Sequence, residues 1–483
     1  MANAIAGLEP ALVWKYFSEI SRIPRGSKNE TAIARYLVET ARKLGLEATQ
    51  DAAGNVVARK AASAGRENVP SVCLQGHMDM VCEKNKDKTH DFLKDPIELV
   101  RKDKFIFANG TTLGADNGIA VATCLAIMDD KKLQHGPLEF LFTVDEETGL
   151  TGANNLMPGF LKSMTLMNLD SEDEGELYVS CSGGRDNAGA WAAEFDDAPA
   201  GGAGLLITVK GLKGGHSGLE IHTGRGNALK IITRVLLGLA GLGGRVAKIE
   251  GGNKRNAIPR EAEAVAWVPK ARAAQAADWV AAMNTTIKAE LATVEPNLVI
   301  ACGAQKGVRK VLKKGLQKRV LLALMAVPHG VLKMSPDIPG LVETSSNLAI
   351  IETGKKEIRV QTSQRSSVAS EIEEASQMVR AVFELGGAVA TGSDGYPGWK
   401  PNLDSPILKL AQATYKALYG KDPEVKAVHA GLECGIIGEK YPGMDMVSFG
   451  PTMREVHSPN EHLYIDTVGK FYAFVLEILK NVK

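Results

Sequence analysis

Short apolar segments alternate with amphipathic ones from Leu12 to Leu169, and this alternation limits the possible folds more than any other feature of the chain. Strand-like segments lie at 55–59, 71–75, 138–144 and 165–169, and helical spacing of apolar residues covers 12–44, with a break at 23–27, and 116–128. Strands separated by helices pack as a parallel sheet with helices on its faces. The sequence therefore predicts an α/β fold with a doubly wound, mostly parallel sheet.

A stretch rich in Asp, Ala, Pro and Gly, Glu194–Gly204, interrupts this pattern. Beyond it, strands and helices recur in two passes of a βαββα type, the first from 205 to 302 and the second from 315 to 383. A second stretch of turn formers, Gly392–Pro401, precedes a return to the first pattern. We therefore expect one domain formed by residues 1–188 and 399–483, and an inserted α+β domain formed by residues 189–398.

Composition excludes several classes of protein. Hydrophobic residues make up 45% and charged residues 23% of the 483 residues, as in ordinary globular proteins. The formal net charge of +1 provides no basic field for nucleic acid, and no apolar run approaches the ~20 residues of a membrane span. The N-terminal segment lacks the features of a secretory signal, and the six cysteines show no paired spacing. We expect a cytoplasmic protein that binds neither nucleic acid nor membrane.

His77 and Asp79 directly follow a predicted strand. Because side chains alternate along a strand, residues two apart point to the same side. A carboxylate there can hold one ring nitrogen of an imidazole whose other nitrogen binds a metal ion. By itself this pair also fits an exposed loop.

Three further acidic residues follow loops or strands in the same way. Asp116 lies in the glycine-rich segment Gly110–Gly118, before a predicted helix, where capping of that helix is the alternative explanation. Glu146 and Glu147 come directly after the strand at 138–144. Adjacent carboxylates at a strand end repel each other unless a cation separates them, although solvated surface acids remain an alternative.

Asp170 ends the strand at 165–169, and His457 follows the last predicted strand, Asp445–Phe449. In open α/β sheets, ligands bind at the carboxyl ends of the strands, where all these residues fall. Two histidines with several carboxylates suit zinc, and also manganese or cobalt. The absence of cysteine from the set favours a catalytic centre with exchangeable water over a closed structural site.

Six motifs, taken together, resemble those of the co-catalytic di-zinc peptidases, specifically the bacterial aminoacyl-histidine dipeptidases, also called cytosolic nonspecific dipeptidases. The resemblance extends from Trp14 to the C-terminal helix. Its motifs are 77–79 (HMD), 111–118 (TTLGADNG), 146–149 (EETG), 168–172 (NLDSE), 214–218 (GGHSG) and 457–461 (HSPNE). One departure is Cys82, where relatives often have proline.

The resemblance implies two Zn²⁺ ions per subunit, with Co²⁺ or Mn²⁺ as possible substitutes. By that pattern His77 and Asp170 bind one ion, Glu147 and His457 bind the other, and Asp116 bridges them.

The same resemblance assigns two catalytic roles. Asp79 would orient His77, and Glu146 would be the general base for a hydroxide that bridges the metal ions. Residues 1–188 and 399–483 would then form the catalytic domain.

The inserted domain resembles the lid and dimerisation domain of this family. By resemblance, His216 donates a hydrogen bond to the oxygen of the scissile carbonyl, in its own or the partner subunit's site. Asn256 contacts the substrate by the same resemblance. Arg365 would bind a C-terminal carboxylate, although a surface arginine at a strand end is the alternative. His429 and Glu433 would line the substrate pocket.

The sequence thus predicts a cytoplasmic, homodimeric metallo-dipeptidase that cleaves unblocked dipeptides, including Xaa-His and β-alanyl ones. An N-acyl amino acid amidohydrolase of the same clan is the alternative, because the metal pair would be identical. A non-catalytic scaffold would have lost at least one ligand, and none is missing. A nicotinamide oxidoreductase would need a glycine fingerprint that the chain lacks. The preferred dipeptide, the cellular metal and the extent of lid closure stay open.

Overall fold

The computed structural model describes residues 4–483, and the chain divides into two compact units. Unit 2 comprises Ser182–Gly398 and Val428–Gly431, and unit 1 comprises the remainder. The first boundary lies after Cys181 and not after residue 188, because Gly183–Ala192 pairs along its whole length with Glu357–Ser366 of unit 2. Segment 428–431 joins unit 2 because the N–H of Ser182 bonds the carbonyls of Val428 and Ala430.

Unit 1 contains eight helices and twelve strands among the described residues. The helices are α1 (Ala11–Ile20), α2 (Thr31–Lys43), α3 (Ala115–Asp129), α4 (Glu146–Gly149), α5 (Thr151–Asn155), α10 (Pro406–Tyr419), α11 (Glu433–Lys440) and α12 (Ile465–Asn481). The strands are β1 (Glu47–Gln50), β2 (Val56–Lys60), β3 (Val72–His77), β4 (Leu99–Lys102), β5 (Phe105–Ala108), β6 (Leu138–Thr143), β7 (Thr165–Asn168), β8 (Glu176–Cys181), β22 (Glu424–Val428), β23 (Asp445–Ser448), β24 (Met453–Arg454) and β25 (His462–Tyr464).

Unit 2 lies between β8 and α10 in the chain. Its helices are α6 (Ala228–Gly241), α7 (Ala273–Glu290), α8 (Lys314–Ala326) and α9 (Ala369–Leu385). Its strands are β9 (Gly183–Ala192), β10 (Phe195–Asp197), β11 (Gly202–Lys210), β12 (Gly215–His216), β13 (Arg245–Gly251), β14 (Ala257–Ile258), β15 (Ala262–Pro269), β16 (Val299–Ala304), β17 (Lys310–Leu312), β18 (Gly330–Met334), β19 (Val342–Thr353), β20 (Glu357–Ser366) and β21 (Val389–Gly392).

The main sheet of unit 1 has eight strands in the order β1-β2-β6-β3-β7-β23-β8-β22. Its central strands β6, β3, β7 and β23 are parallel to their neighbours, whereas β2 and β8 flank them in antiparallel orientation. The α/β fold class is therefore confirmed, with the parallel pairing concentrated at the centre of the sheet.

Burial explains why the central strands are almost continuously apolar. Every residue of β3 and β6 is buried, as expected for parallel strands covered on both faces. Helix α3 is also buried nearly all round and packs on β3 and α1. Among residues 4–483, no helix combines the length and apolarity needed to cross a bilayer.

Unit 2 contains a nine-stranded sheet built from two similar passes of chain. The first pass is β11-α6-β13-β15-α7-β16, and the second is β9-α8-β19-β20-α9-β21. The strands of the first pass lie in the order β16-β11-β15-β13, and those of the second continue as β19-β20-β9-β21, which is the mirrored order. The two halves meet where Gly251 of β13 pairs with Ile351 of β19, so the sheet is pseudo-symmetric about this junction.

Candidate active site

The parallel centre of unit 1 brings several predicted residues to one edge of the sheet. His77 is the last residue of β3, and Asp170 follows β7 by two residues. Glu146 and Glu147 begin α4 just beyond β6, and His457 lies in the loop between β24 and β25, nine residues after β23 ends. These strands are parallel neighbours, so the segments that leave their carboxyl ends meet.

Asp116 lies between the two histidines. One carboxylate oxygen of Asp116 lies 3.0 Å from Nε2 of His77, and the other lies 3.1 Å from Nε2 of His457. Asp170 Oδ1 lies 3.4 Å from the same nitrogen of His77, and Glu147 Oε2 lies 3.0 Å from that of His457. The site therefore consists of two His-carboxylate groups that share Asp116.

The donor atoms of each group fit a divalent ion. In His77, Asp116 and Asp170, and again in Asp116, Glu147 and His457, the potential ligand atoms lie within 4.8 Å of one another. The second oxygen of Glu147, Oε1, is buried and has no hydrogen-bond partner among the described residues. Imidazole nitrogens and carboxylate oxygens are ligands that zinc, cobalt and manganese accept. These residues could hold two ions with Asp116 as the common ligand.

Asp79 orients both the histidine and the acidic pair. Its Oδ1 lies 3.2 Å from Nδ1 of His77, and its two oxygens accept the backbone N–H groups of Glu146 (3.0 Å) and Glu147 (3.3 Å). Ser27 Oγ donates to Asp79 at 2.8 Å. The carboxylate favours the tautomer of His77 that carries its proton on Nδ1, which leaves Nε2 free for a metal ion.

The site concentrates negative charge. Burial opposes protonation of His77, but Asp170, Asp116 and Asp79 outweigh it and raise the pKa of His77 well above its usual value. Hydrogen bonds to Asp116 and Glu147 raise the pKa of His457 to about 11. Burial raises the pKa of Asp170 to about 7. Carboxylates crowded in this way require a compensating positive charge, which bound cations would supply.

Glu461 holds the loop that carries Asp116. Its buried carboxylate accepts backbone N–H groups from Leu113 (2.7 Å), Gly114 (3.0 Å), Ala115 (2.8 Å) and Asp116 (3.4 Å). Sequence reasoning noted the segment 457–461 but assigned no role to this residue. Glu461 therefore positions Asp116 from a distant part of the chain.

Arg25 connects two of the ligand-bearing loops, and sequence reasoning did not find it. Its guanidinium is buried and donates to the carbonyls of Met78 (3.1 Å) and Asp79 (2.7 Å), and also to that of Gly114. The only available signal was its place in the turn segment 23–27. Arg25 ties the loop after β3 to the loop before α3.

Glu433 does not occupy the place expected for a substrate contact. It begins α11 and is completely buried, and its Oε2 accepts hydrogen bonds from Gln75 Nε2 (2.6 Å) and Thr143 Oγ1 (2.6 Å). Burial raises its pKa to about 7. Because no surface of Glu433 is accessible, the expectation that it lines a substrate pocket does not fit this placement.

His216 of unit 2 is held as a neutral hydrogen-bond donor. Its Nδ1 accepts the backbone N–H groups of Gly218 (3.3 Å) and Leu219 (3.1 Å), so its proton lies on Nε2. Burial, with the positive charge of Arg365, lowers the pKa of His216 to about 4. At neutral pH this imidazole can donate from Nε2 without carrying charge.

Arg365 and His429 lie close together in unit 2. Arg365 of β20 pairs with Ser345 of β19, whose hydroxyl lies 2.7 Å from Nε2 of His429. Arg365 is buried and donates from Nη1 to Tyr396 at 3.3 Å, and its Nε has no hydrogen-bond partner within the described part of the chain. A buried guanidinium without a carboxylate partner is suited to an anionic group of a ligand.

Asn256 lies beside His216. Its carbonyl accepts the N–H of Ser217 at 2.9 Å, and its side chain is exposed. Both Asn256 and His216 line a cavity of about 840 Å³ formed by residues of unit 2. These two predicted residues therefore border a space of the size that small ligands occupy.

The chain is similar to several known peptidases. Residues 73–481 match the model of peptidase family M20/M25/M40. The chain is 40% identical over 481 residues to the cytosol non-specific dipeptidase of Escherichia coli (strain K12), covering 99% of each chain. The crystal structure of aminoacylhistidine dipeptidase from Vibrio alginolyticus superimposes with a TM-score of 0.93 and 43% identity, covering 99% of this chain and 98% of that one.

A more distant structure shows the same fold. Aminopeptidase PepT from Bacillus cereus ATCC 10987 matches with a TM-score of 0.58 at 17% identity, covering 98% of this chain and 99% of that chain. The family resemblance drawn from the sequence motifs is confirmed by the family match and by the full-length likeness to the E. coli protein. This chain belongs to peptidase family M20/M25/M40.

Proposed function

We propose that this peptidase is a metal-dependent dipeptidase that hydrolyses unblocked dipeptides, including Xaa-His and β-alanyl dipeptides. The observation that carries the proposal is the pair of His-carboxylate groups that share Asp116, with Glu146 beside them. The names of the E. coli and V. alginolyticus relatives, both dipeptidases, support the substrate class.

Five residues would hold two Zn²⁺ ions, or Co²⁺ or Mn²⁺ in their place. His77 and Asp170 would bind one ion, Glu147 and His457 the other, and Asp116 both. When bound, two such ions lower the pKa of water and polarise the scissile carbonyl.

Glu146 would act as the general base. Asp79 accepts a hydrogen bond from the backbone N–H of Glu146 at 3.0 Å. Burial raises the pKa of the Glu146 carboxyl group well above the usual value. A carboxylate with a raised pKa accepts a proton from water more readily and can release it to the leaving amine. Glu146 therefore moves the proton, while its neighbour Glu147 serves as a ligand.

Residues of unit 2 would recognise the ends of the dipeptide and the developing charge. His216 donates from Nε2 to the oxygen of the scissile carbonyl. Arg365 binds the C-terminal carboxylate through two parallel hydrogen bonds. Asn256 and His429 provide further polar contacts to the substrate.

A substrate panel with metal analysis tests this proposal. Zinc-loaded protein should release free amino acids from unblocked dipeptides and leave N-acyl amino acids intact. The reverse preference would favour the alternative, an N-acyl amino acid amidohydrolase with the same metal pair. Failure to cleave either class in the presence of bound zinc would favour a non-catalytic scaffold.

We also propose a cytoplasmic homodimer formed through unit 2. The name of the E. coli relative supports the location. Exposed apolar side chains on α8 and β18 offer an interface to a second copy, and they are Leu322, Met325, Val331, Leu332 and Met334. Sedimentation equilibrium should give twice the single-chain mass of 51.5 kDa, and Leu332→Glu with Met325→Glu should give the single-chain mass. A single-chain mass for the unaltered protein would contradict the dimer.

A further inference from the structure

Glu433 is a fully buried carboxylate that the proposed mechanism does not use. Its Oε2 accepts two short hydrogen bonds, from Gln75 Nε2 and from Thr143 Oγ1, both at 2.6 Å. Its Oε1 is buried and has no hydrogen-bond partner among residues 4–483. Burying a carboxylate is costly, so a residue of this kind points to a specific role.

Glu433 ends a directional chain of hydrogen bonds across the sheet. Ser448 Oγ donates to Asn168 Oδ1, Asn168 Nδ2 donates to Gln75 Oε1, and Gln75 Nε2 donates to Glu433. Because Oε2 of Glu433 accepts from both Gln75 and Thr143, Gln75 turns its amide nitrogen toward Glu433 and its oxygen toward Asn168. Asn168 in turn must present its oxygen away from Gln75. The carboxylate thereby sets the orientation of both amides.

This chain leads to one of the two proposed metal-binding pairs. The oriented Asn168 oxygen accepts the backbone N–H of Asp170 at 3.3 Å. Gln75 precedes His77 by two residues on β3, and Thr143 pairs directly with His77 in the sheet.

The other pair is not connected to the chain in this way. Among the described residues, none of its hydrogen bonds reaches Glu147 or His457. The hydrogen bonds that start at Glu433 therefore lead to the His77–Asp170 pair and not to the Glu147–His457 pair.

We infer that Glu433 is a positioning residue for the ion bound by His77 and Asp170: its buried carboxylate fixes the chain Gln75–Asn168 that orients these two ligands. This inference rests on the proposed function, since it presupposes the metal pair. Loss of a residue that orients metal ligands commonly lowers metal affinity by about 10–100-fold.

The test measures metal affinity in two single-pair backgrounds. His457→Gln leaves the His77–Asp170 pair intact, and Asp170→Asn leaves the Glu147–His457 pair intact. Adding Glu433→Leu, which removes both acceptor oxygens, should weaken Zn²⁺ binding about 10–100-fold in the first background, measured by competition with a chelating dye, and less than about threefold in the second. Equal weakening in both backgrounds, or none in the first, overturns the inference.

Glu139→Leu is the matched control. Glu139 is a buried carboxylate on the same strand as Thr143, but it is bonded to Arg59 and to the N–H groups of Lys162 and Ser163. This variant should leave zinc affinity unchanged, whereas a loss as large as that of Glu433→Leu would show a general effect of buried carboxylates and overturn the inference.

Two further measurements keep the test decisive. If Glu433→Leu does not fold, Thr143→Val removes one hydrogen bond to the carboxylate and should weaken zinc binding in the first background by a smaller factor; unchanged binding overturns the inference. If unaltered protein binds two ions and cleaves dipeptides while Glu433→Leu binds zinc normally, only this inference fails. If unaltered protein binds no zinc, the proposed function fails with it.

Discussion

The carboxylate of Glu461 accepts the backbone N–H of Asp116 at 3.4 Å. It thereby holds the loop that carries Asp116, the carboxylate shared by the two His-carboxylate groups. The two residues are far apart in sequence, and the contact lies directly beside the candidate metal centre. The side chain of Glu461, from the C-terminal segment, therefore stabilises the conformation of the loop before α3.

Replacing Glu461 with glutamine should destabilise unit 1. The amide of glutamine turns two N–H donors toward a cluster of backbone N–H groups, so at least one buried donor is left unsatisfied. We expect a decrease of about 1–3 kcal/mol in the free energy of unfolding, measured by urea denaturation. Glu439→Gln, an exposed change on α11, should leave the unfolding midpoint unchanged. A wild-type midpoint for Glu461→Gln would contradict the positioning role.

Converting Glu146 to glutamine should separate metal binding from turnover. The amide cannot accept a proton, so kcat should fall about 10²–10⁴-fold while both ions stay bound. Glu147→Gln, in contrast, should lower the metal content measured by atomic emission. A Glu146→Gln protein that cleaves dipeptides at the wild-type rate with zinc bound would show that the base assignment is wrong.

Chelation should remove activity and stability together. Without cations, the carboxylates around Asp116 repel one another, so the apoprotein should unfold at a lower temperature. Zinc at about 100 times its Kd should restore about 2.7 kcal/mol of stability for each bound ion, along with activity. The measurements are thermal unfolding and dipeptide cleavage before chelation, after it, and after addition of Zn²⁺, Co²⁺ or Mn²⁺. Full activity in protein shown to be free of metal would exclude the proposed mechanism.

Arg365→Met should weaken binding of substrates that carry a free C-terminal carboxylate. Loss of a hydrogen bond between charged groups costs about 1.5–3 kcal/mol, which corresponds to an increase in KM of about 10–150-fold. The matching dipeptide amides should show little change between the two proteins. Arg359→Met, an exposed change on the same strand, should leave KM unaltered. An equal change for dipeptides and their amides would contradict carboxylate recognition.

Unit 2 should lose stability in mild acid through His329. Burial, with the nearby charge of Lys230, lowers the pKa of His329 to about 4, and its Nδ1 lies 3.3 Å from the amide Nδ2 of Asn227. The unfolded chain takes up this proton near its ordinary pKa of about 6.5, so stability is full above that pH and falls as pH decreases toward 4.

The loss attributable to His329 between pH 7 and pH 5 is about 1–2 kcal/mol. It should be absent in His329→Gln, whose amide oxygen can still accept from Asn227. Urea midpoints of the two proteins at both pH values measure the difference. Equal losses on acidification would show that His329 does not titrate in this way.

The sequence was most informative where residues follow strand ends. His77, Glu147 and Asp170 could be expected at one edge because parallel neighbouring strands bring their carboxyl ends together. Arg25 and Glu461 could not be found in this way. Both bind backbone groups of distant loops, and such contacts leave no periodic pattern in the sequence.

The boundary between the units was harder to place than the strands themselves. Strand β9 begins with Gly183 and Gly184 and carries polar residues, so it lacks the apolar alternation of a typical strand. Its order comes from pairing with β20, which only the folded chain reveals. The burial of Glu433 was not predicted for a related reason, since an acid at a helix start is usually exposed and its burial here depends on how α11 packs.

The mirrored strand order of unit 2 lets the two halves of its sheet differ in sequence. In a symmetric oligomer of identical chains, every substitution is expressed in both copies of a surface. In unit 2, the two halves of the sheet are different segments of one chain. His216 can therefore lie in the first half and Arg365 in the second, and neither needs an identical residue at the matching position of the other half. A single polypeptide can thereby carry different side chains on the two halves of a pseudo-symmetric sheet.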